Sequence, residues 1–323
     1  MGDCSRRVTK LDEEFLKDRF KPSAKDALGE LHNLHVYVDG RFLSGDQAAV
    51  SVWDHGLLYG DGTFEGIRAY DGKVFKLDEH IERLFDSAHS LGIGNIPLTR
   101  DEMKEAVLRT IRKNSLRDAH IRPIITRGLG RPGLDPRRAV RPSVAILAYP
   151  FPPLLGEKPL KLIVSSVRRK SPHSVDSKIK SLSYVDNVLA KIQANIANMD
   201  DAIMTDLEGF VAEGTTENLF VVKKEQIYTP WTTACLHGIT RATVIEVASE
   251  MRYKVEEKNV TVHELYSADE VFLSGTGAGI VPVCEVDGRS VGKICPGRIT
   301  ERIRQAYDKY VRTEHTTDAY QYH

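Results

Sequence analysis

Apolar positions along this chain recur with two different periods, in two successive series. Residues 34–50 alternate apolar and polar positions about Asp39-Gly40, and 63–77 do so about Asp71-Gly72. Period-two alternation broken by an Asp-Gly dipeptide predicts a β-hairpin in each case. Stripes at i, i+3, i+4, i+7 predict helices over 78–91 and 101–114, after which 119–127 and 142–149 read as strands. A second series predicts strands at 160–168, 202–206, 210–212, 218–222, 227–229, 253–260 and 270–274, with helices at 182–198, 240–251 and 298–312. In the first of these helices Leu182, Val185, Val188, Leu189, Ile192 and Ile196 form one stripe, the mark of a face packed on a core.

Between the two series, four of the ten residues 150–159 are proline, with no period of either kind, so this stretch reads as a linker. The expected fold class is α/β, in an α+β arrangement of two domains with a cleft between them. The divisions are an arm at 1–33, a small α/β domain at 34–149, the linker, a larger α/β domain at 160–315 and a tail at 316–323.

Composition narrows the class without choosing a function. The chain has 323 residues, 41% hydrophobic and 28% charged, with 45 Lys+Arg against 45 Asp+Glu. That balance leaves no basic field for nucleic acid, and the apolar runs fall well short of the ~20 residues of a membrane span. The first twenty residues lack the apolar core of a signal peptide and are too acidic for a transit peptide. Cys4, Cys235, Cys284 and Cys295 form no Cys-x-x-Cys pair, which fits a reducing cytoplasm and predicts neither a disulfide framework nor a metal site.

Two glycine patterns, at 128–133 and 275–279, approach a dinucleotide fingerprint. Such a fingerprint must pass from a strand into a helix, and Pro132, Pro136 and Pro282 oppose that. Other features point to a different chemistry. Lys180 stands before the helix stripe, where a cation is badly placed against the positive end of a helix. An imine-forming lysine must first shed its proton, so the misfit suits one. Glu213 ends a short strand. Ile239 and Thr240 open a helix after His237-Gly238, with Thr240 as a possible cap, and leave backbone N–H groups for an anion. Thr276 sits among small residues able to approach a ligand closely. A lysine, an acid and two small-residue anion loops are the parts needed to hold pyridoxal phosphate.

In this order the motifs KSLSYVDNVLAK (from Lys180), EGTTENLF (from Glu213), HGITRATV (from His237) and FLSGTGAGIVPV (from Phe272) resemble the class IV (fold type IV) aminotransferases. The resemblance extends to VWDHGLLYGDGTFEGIRAYDG at 52–72, HIERLFDSA at 80–88 and IRPIITRGLGRPGLDP at 121–136, and so covers about 35–312. YGDGTFEGIR and RGLGRPGLDP make it most similar to the branched-chain subgroup. The Arg-x-His carboxylate trap of the D-amino acid enzymes is replaced by Gly-Arg-Pro-Gly.

The resemblance implies a homodimer with shared sites and a ping-pong exchange between an amino donor and a 2-oxo acid acceptor. It implies that Lys180 is the Schiff-base lysine and proton shuttle, and that Glu213 pairs with the pyridine nitrogen. Arg83, Ile239, Thr240 and Thr276 would hold the phosphate, and Tyr184 the phenolic oxygen. On the substrate side it implies Phe64, Arg122, Gly277, Ala278 and Tyr59, the last reaching the neighbouring subunit's site. His120 stands where many branched-chain enzymes have a tyrosine, leaving the choice of substrate open. D-amino acid or (R)-amine transamination, and aminodeoxychorismate lyase-type elimination, are the alternatives on the same fold.

Overall fold

The computed structural model describes residues 29–150, 155 and 158–321. Residues 1–28, most of the proposed linker and the last two residues of the tail lie outside the described residues. Two sheets, the first antiparallel and the second mixed, organise the chain. The first series supplies β1 (His35–Val38), β2 (Arg41–Ser44), α1 (His55–Tyr59), β3 (Gly62–Phe64), β4 (Ile67–Tyr70), β5 (Lys73–Phe75), α2 (Leu77–Ser90), α3 (Arg100–Lys113), β6 (Ala119–Gly130) and β7 (Ala139–Tyr149). The second supplies β8 (Leu160–Arg168), α4 (Val185–Ile196), β9 (Asp201–Thr205), β10 (Val211–Glu213), β11 (Asn218–Lys223), β12 (Gln226–Pro230), α5 (Ile239–Glu250), β13 (Val255–Lys258) and α6 (Val262–Tyr266). It ends with β14 (Glu270–Gly275), β15 (Gly279–Val286), β16 (Arg289–Ser290), α7 (Arg298–Thr313) and β17 (Thr316–Asp318).

The two predicted hairpins form as read. Asp39-Gly40 and Asp71-Gly72 take positive φ at both residues, the backbone of a turn whose twist matches the strands it joins. The first sheet runs β17-β5-β4-β6-β7-β1-β2, with β3 on β6. Helices α2 and α3 cover it with Leu77, Ile81, Leu84, Met103, Val107 and Ile111, all buried. Thr99 and Glu102 close a reciprocal capping box at the start of α3. The second sheet runs β10-β9-β8-β15-β14-β11-β12-β13, with β16 on β15. Helices α5 and α7 pack on it over the stacked rings of Phe220 and Phe272, 4.9 Å apart and fully buried. Burying one such ring contributes about 1.5–3 kcal/mol. Tyr70 and Phe75 of the first sheet enter that same core and couple the sheets.

Two expectations are corrected. The helix predicted over 182–198 starts only at Val185, because residues 180–182 are claimed by β3. Phe64 N–H donates to Lys180 O, Leu182 N–H donates to Gly62 O, and Thr63 pairs with Ser181. Nor does its apolar stripe face the core. Asn187, Ala190 and Ala194 are buried against β8 and β9, while Val185, Val188, Leu189, Ile192 and Ile196 are exposed. Small residues let the helix sit close to the sheet and turn its large apolar face outward. The tail joins the first sheet. Its residues 316–318 form β17 on β5, Ala319 is buried among the residues of the first core, and Tyr320 donates to Leu116 O. Five elements were not read from the sequence: α1, α6 and the strands β15, β16 and β17. Among the described residues no helix is long and apolar enough to cross a membrane.

Candidate active site

Where the sheets meet, a cavity of about 330 Å³ opens, a size typical of small-molecule sites. One wall is β6. Alternate residues of a strand share a face, so His120, Arg122 and Ile124 point into the cavity while Ala119, Ile121 and Ile125 pack in the core. Phe64 stands at the end of β3 with the Arg122 guanidinium 4.9 Å above its ring. The segment pinned to β3 brings in Lys180. Its backbone N–H donates to Ser87 Oγ on α2 at 3.2 Å, and its Nζ lies 3.4 Å from the Tyr184 hydroxyl and 4.8 Å from the centre of the Phe64 ring. Phe64 and Tyr184 meet edge to face. The amine is thus framed by two aromatic rings and one hydroxyl.

Arg83 enters from α2 under close control. Its Nε and Nη2 donate to the two carboxylate oxygens of Glu65 at 2.6 and 2.8 Å, and Nη1 donates to His237 O at 2.8 Å. His80, one helical turn earlier on the same face, bonds Glu65 at 2.8 Å. Glu65 is wholly buried; burial alone would push its carboxyl up, but the Arg83 guanidinium and His80 hold it far below the ordinary carboxylate range. The fork is therefore fixed at the cavity that it lines.

Facing Arg83 is the first turn of α5. Gly238 precedes the helix with extended backbone, and Ile239 and Thr240 open it. The expected capping role of Thr240 is not what forms: no side chain caps this helix, and Thr240 lies within its first turn, its hydroxyl 3.4 Å from that of Thr276. A helix start presents unpaired N–H groups and partial positive charge. Arg83, that helix start and the two threonines make a site for a small dianion.

Glu213, at the end of β10, does not itself line the cavity. It lies behind Leu236, whose N–H donates to Oε2 at 3.1 Å, while Oε1 is 2.9 Å from Arg169 Nε. Burial pushes its carboxyl up, and Arg169 only partly offsets this. Arg169 is itself buried, paired with Asp186 and Asn187 at 2.7 and 2.9 Å. Among the other expected residues, Gly277 lines the cavity, and Ala278 turns its methyl into the second sheet's core. Tyr59 does not line this cavity; it is half-exposed and accepts from Gly133 N–H at 2.7 Å. His120 is buried beside Gly66, and burial with the nearby Arg122 and Arg68 charges holds its imidazole down at about 4.

Sequence reading missed Glu65, His80, Arg169, Thr216, Glu217 and Ser274, which complete the walls and supports. All but Arg169 lie inside the quoted motifs, and His80 also stands three residues before Arg83 on one helix face. The others become neighbours through sheet pairing, which no local period reports.

The family model for amino-transferase class IV matches residues 62–286. This chain belongs to the class IV aminotransferases. A provisionally named branched-chain-amino-acid aminotransferase of Methanocaldococcus jannaschii is 51% identical over 282 residues, 87% of this chain and 97% of that protein. The crystal structure of a branched-chain aminotransferase from Thermoproteus uzoniensis with norvaline superposes with a TM-score of 0.84 at 37% identity, covering 89% of this chain and 99% of the other. The T.th. branched-chain amino acid aminotransferase complexed with N-(5'-phosphopyridoxyl)-L-glutamate gives 0.84 at 36%, with the same coverage. As an aminotransferase of this class, the chain has the two-sheet α/β fold of its relatives.

Proposed function

We propose that this aminotransferase uses pyridoxal phosphate to exchange amino groups between branched-chain L-amino acids and 2-oxoglutarate in a ping-pong cycle. One observation carries the reading: the Lys180 amine and the Arg83–α5 anion site open into the same cavity. The walls also fit such a cofactor. Ser274 lines the cavity, and its buried hydroxyl has no hydrogen-bond partner among the described residues; a buried polar atom of this kind calls for an explanation, and a bound ligand is one.

When bound, the cofactor supplies an aldehyde for covalent attachment and a ring that takes up the electron pair left by the α-proton. Lys180 provides the amine that tethers it and, once released, takes the proton from the amino acid's Cα as general base. As general acid it returns that proton to the former aldehyde carbon. Tyr184 orients Lys180 and offers its hydroxyl to the ring oxygen. Arg83, the N–H groups of Ile239 and Thr240, and the Thr276 hydroxyl bind the phosphate. Glu213 pairs with the ring nitrogen, and a cationic partner there favours the carboxylate that burial disfavours. Arg169 holds Glu213 in place.

Phe64, Ile124 and Leu182 give an apolar surface for an aliphatic side chain, with His120 uncharged at neutral pH beside them. Arg122 serves the acceptor's second carboxylate, and the backbone at Gly277 and Ala278 the α-carboxylate. We further infer a homodimer. The exposed stripe of α4, together with exposed Val52, Trp53, Leu57 and Leu58 beside Tyr59, is apolar surface that a second copy would cover. A reducing cytoplasm suits the free thiols of Cys235, Cys284 and Cys295.

The test is glutamate production from 2-oxoglutarate with L-leucine, L-valine, D-alanine or an (R)-amine as donor. Turnover with the L-donors alone is expected. Turnover confined to D-alanine or the amine, or pyruvate release without an acceptor, would overturn the substrate assignment.

A further inference from the structure

Glu217, between β10 and β11, is an acid in the cavity wall for which the catalytic account above has no use. Only 2% of it is exposed, its side chain lies against Gly275, and it lines the cavity directly. Its carboxylate turns back on its neighbour: Oε2 accepts the Thr216 N–H at 3.2 Å, and Oε1 accepts the Thr216 hydroxyl. Thr216 is exposed to the cavity. Among the described residues no cation lies within ion-pair distance of Glu217. The charged groups behind it are two more buried acids, each with its own partners. Asp201 on β9 holds the Thr215 hydroxyl at 2.7 Å with Lys191 at 3.8 Å, and Glu213 holds Arg169. Across the cavity stand Lys180, Arg83, His120 and Arg122.

A carboxylate buried beside other acids and without a counter-ion is costly, and a proton relieves it. Burial, then the Asp201 charge, push Glu217 up to about 7. Its two states have different consequences. Ionised, it accepts both Thr216 donors and keeps that hydroxyl's proton engaged. Protonated, it becomes a donor and frees the Thr216 hydroxyl to face a ligand.

We propose that Glu217 is a positioning residue acting through Thr216, and that it takes up a proton from solvent when the anionic cofactor enters. This rests on the cofactor reading of the site. If the protonated form is the competent one, apparent affinity falls with the protonated fraction, about tenfold between pH 6 and pH 8.

The experiment titrates pyridoxal phosphate into cofactor-free protein across that range, following tryptophan fluorescence. Calorimetry in buffers of different ionisation enthalpy counts the protons taken up. Wild-type protein should lose about tenfold more affinity than Glu217→Gln between the two pH values, and should take up more protons near pH 7. Thr216→Val should keep the proton uptake while binding more weakly. Infrared difference spectra of wild-type protein should gain a protonated-carboxyl band on loading, whether or not the variants fold. Equal proton uptake in wild type and Glu217→Gln, or no such band, overturns the proposal but leaves the cofactor reading standing. Failure of wild-type protein to bind the cofactor at any pH overturns both.

Discussion

Gly238→Ala probes whether the entry to α5 is as tightly fixed as the anion site requires. Its backbone is extended, with φ −67° and ψ 132°, so alanine meets no conformational penalty and only the space around it matters. A Cβ placed there comes within 2.0 Å of Asn218 Oδ1. Asn218 is buried, and its Nδ2 donates to Leu236 O at 2.9 Å. Leu236 in turn donates to Glu213. Alanine must therefore displace Asn218 or shift the turn before α5. Overpacking of this kind costs about 1–3 kcal/mol, and losing the Asn218 hydrogen bond about 1 more.

The expected destabilisation of cofactor-free Gly238→Ala is about 2–3 kcal/mol by urea denaturation. Affinity for pyridoxal phosphate should fall about tenfold, ~1.4 kcal/mol. Shortening the opposing side chain makes the test specific. In the double variant Asn218→Ala/Gly238→Ala, the loss should be at least about 1 kcal/mol smaller than the sum of the single losses. Additive single losses, or a Gly238→Ala protein within about 0.5 kcal/mol of wild type, would refute the reasoning.

Three other outcomes follow. Glu213→Gln should keep the cofactor bound yet slow the first half-reaction at least a hundredfold in single-turnover kinetics, because the ring loses its acidic partner. His120 carries a depressed folded value near 4 against an ordinary 6.5. The unfolded chain therefore binds its proton first, and stability drains away as pH falls from 6.5 towards 4. His120→Gln should lose less stability than wild type between pH 7 and pH 4.5, by roughly 2 kcal/mol in urea titrations. Leu189→Glu, on the exposed face of α4, should leave the protomer folded by circular dichroism and shift sedimentation from dimer to monomer; an unchanged dimer would move the interface elsewhere.

What the sequence disclosed was what local periodicity and local motifs encode. The hairpins were legible because Asp-Gly turns sit between alternating residues, α2 and α3 because their stripes face the first sheet's core, and α5 and α7 because theirs face the core over Phe220 and Phe272. The α4 stripe was misread for a physical reason: the period of a stripe reports an apolar face but not what covers it, and here that face turns outward while Ala190 and Ala194 meet the sheet. Pairing of 180–182 with β3 was invisible because it depends on residues more than a hundred positions apart. The same limit hid β17. Lys180, Arg83, Thr240 and Thr276 were found through motifs and do converge, whereas Arg169, which holds Glu213, lies outside the motifs, and Glu65, inside one of them, gives no local sign that it holds Arg83.

The central claim is that Lys180 tethers an aldehyde cofactor in this cavity and gives it up to an amino acid. Its most direct measurement is the visible absorption of purified protein loaded with pyridoxal phosphate, before and after L-leucine, beside Lys180→Ala. The account predicts a visible band that L-leucine bleaches and 2-oxoglutarate restores, and that Lys180→Ala does not form. A wild-type protein with no band, or a Lys180→Ala protein with the same band and the same response, would contradict it.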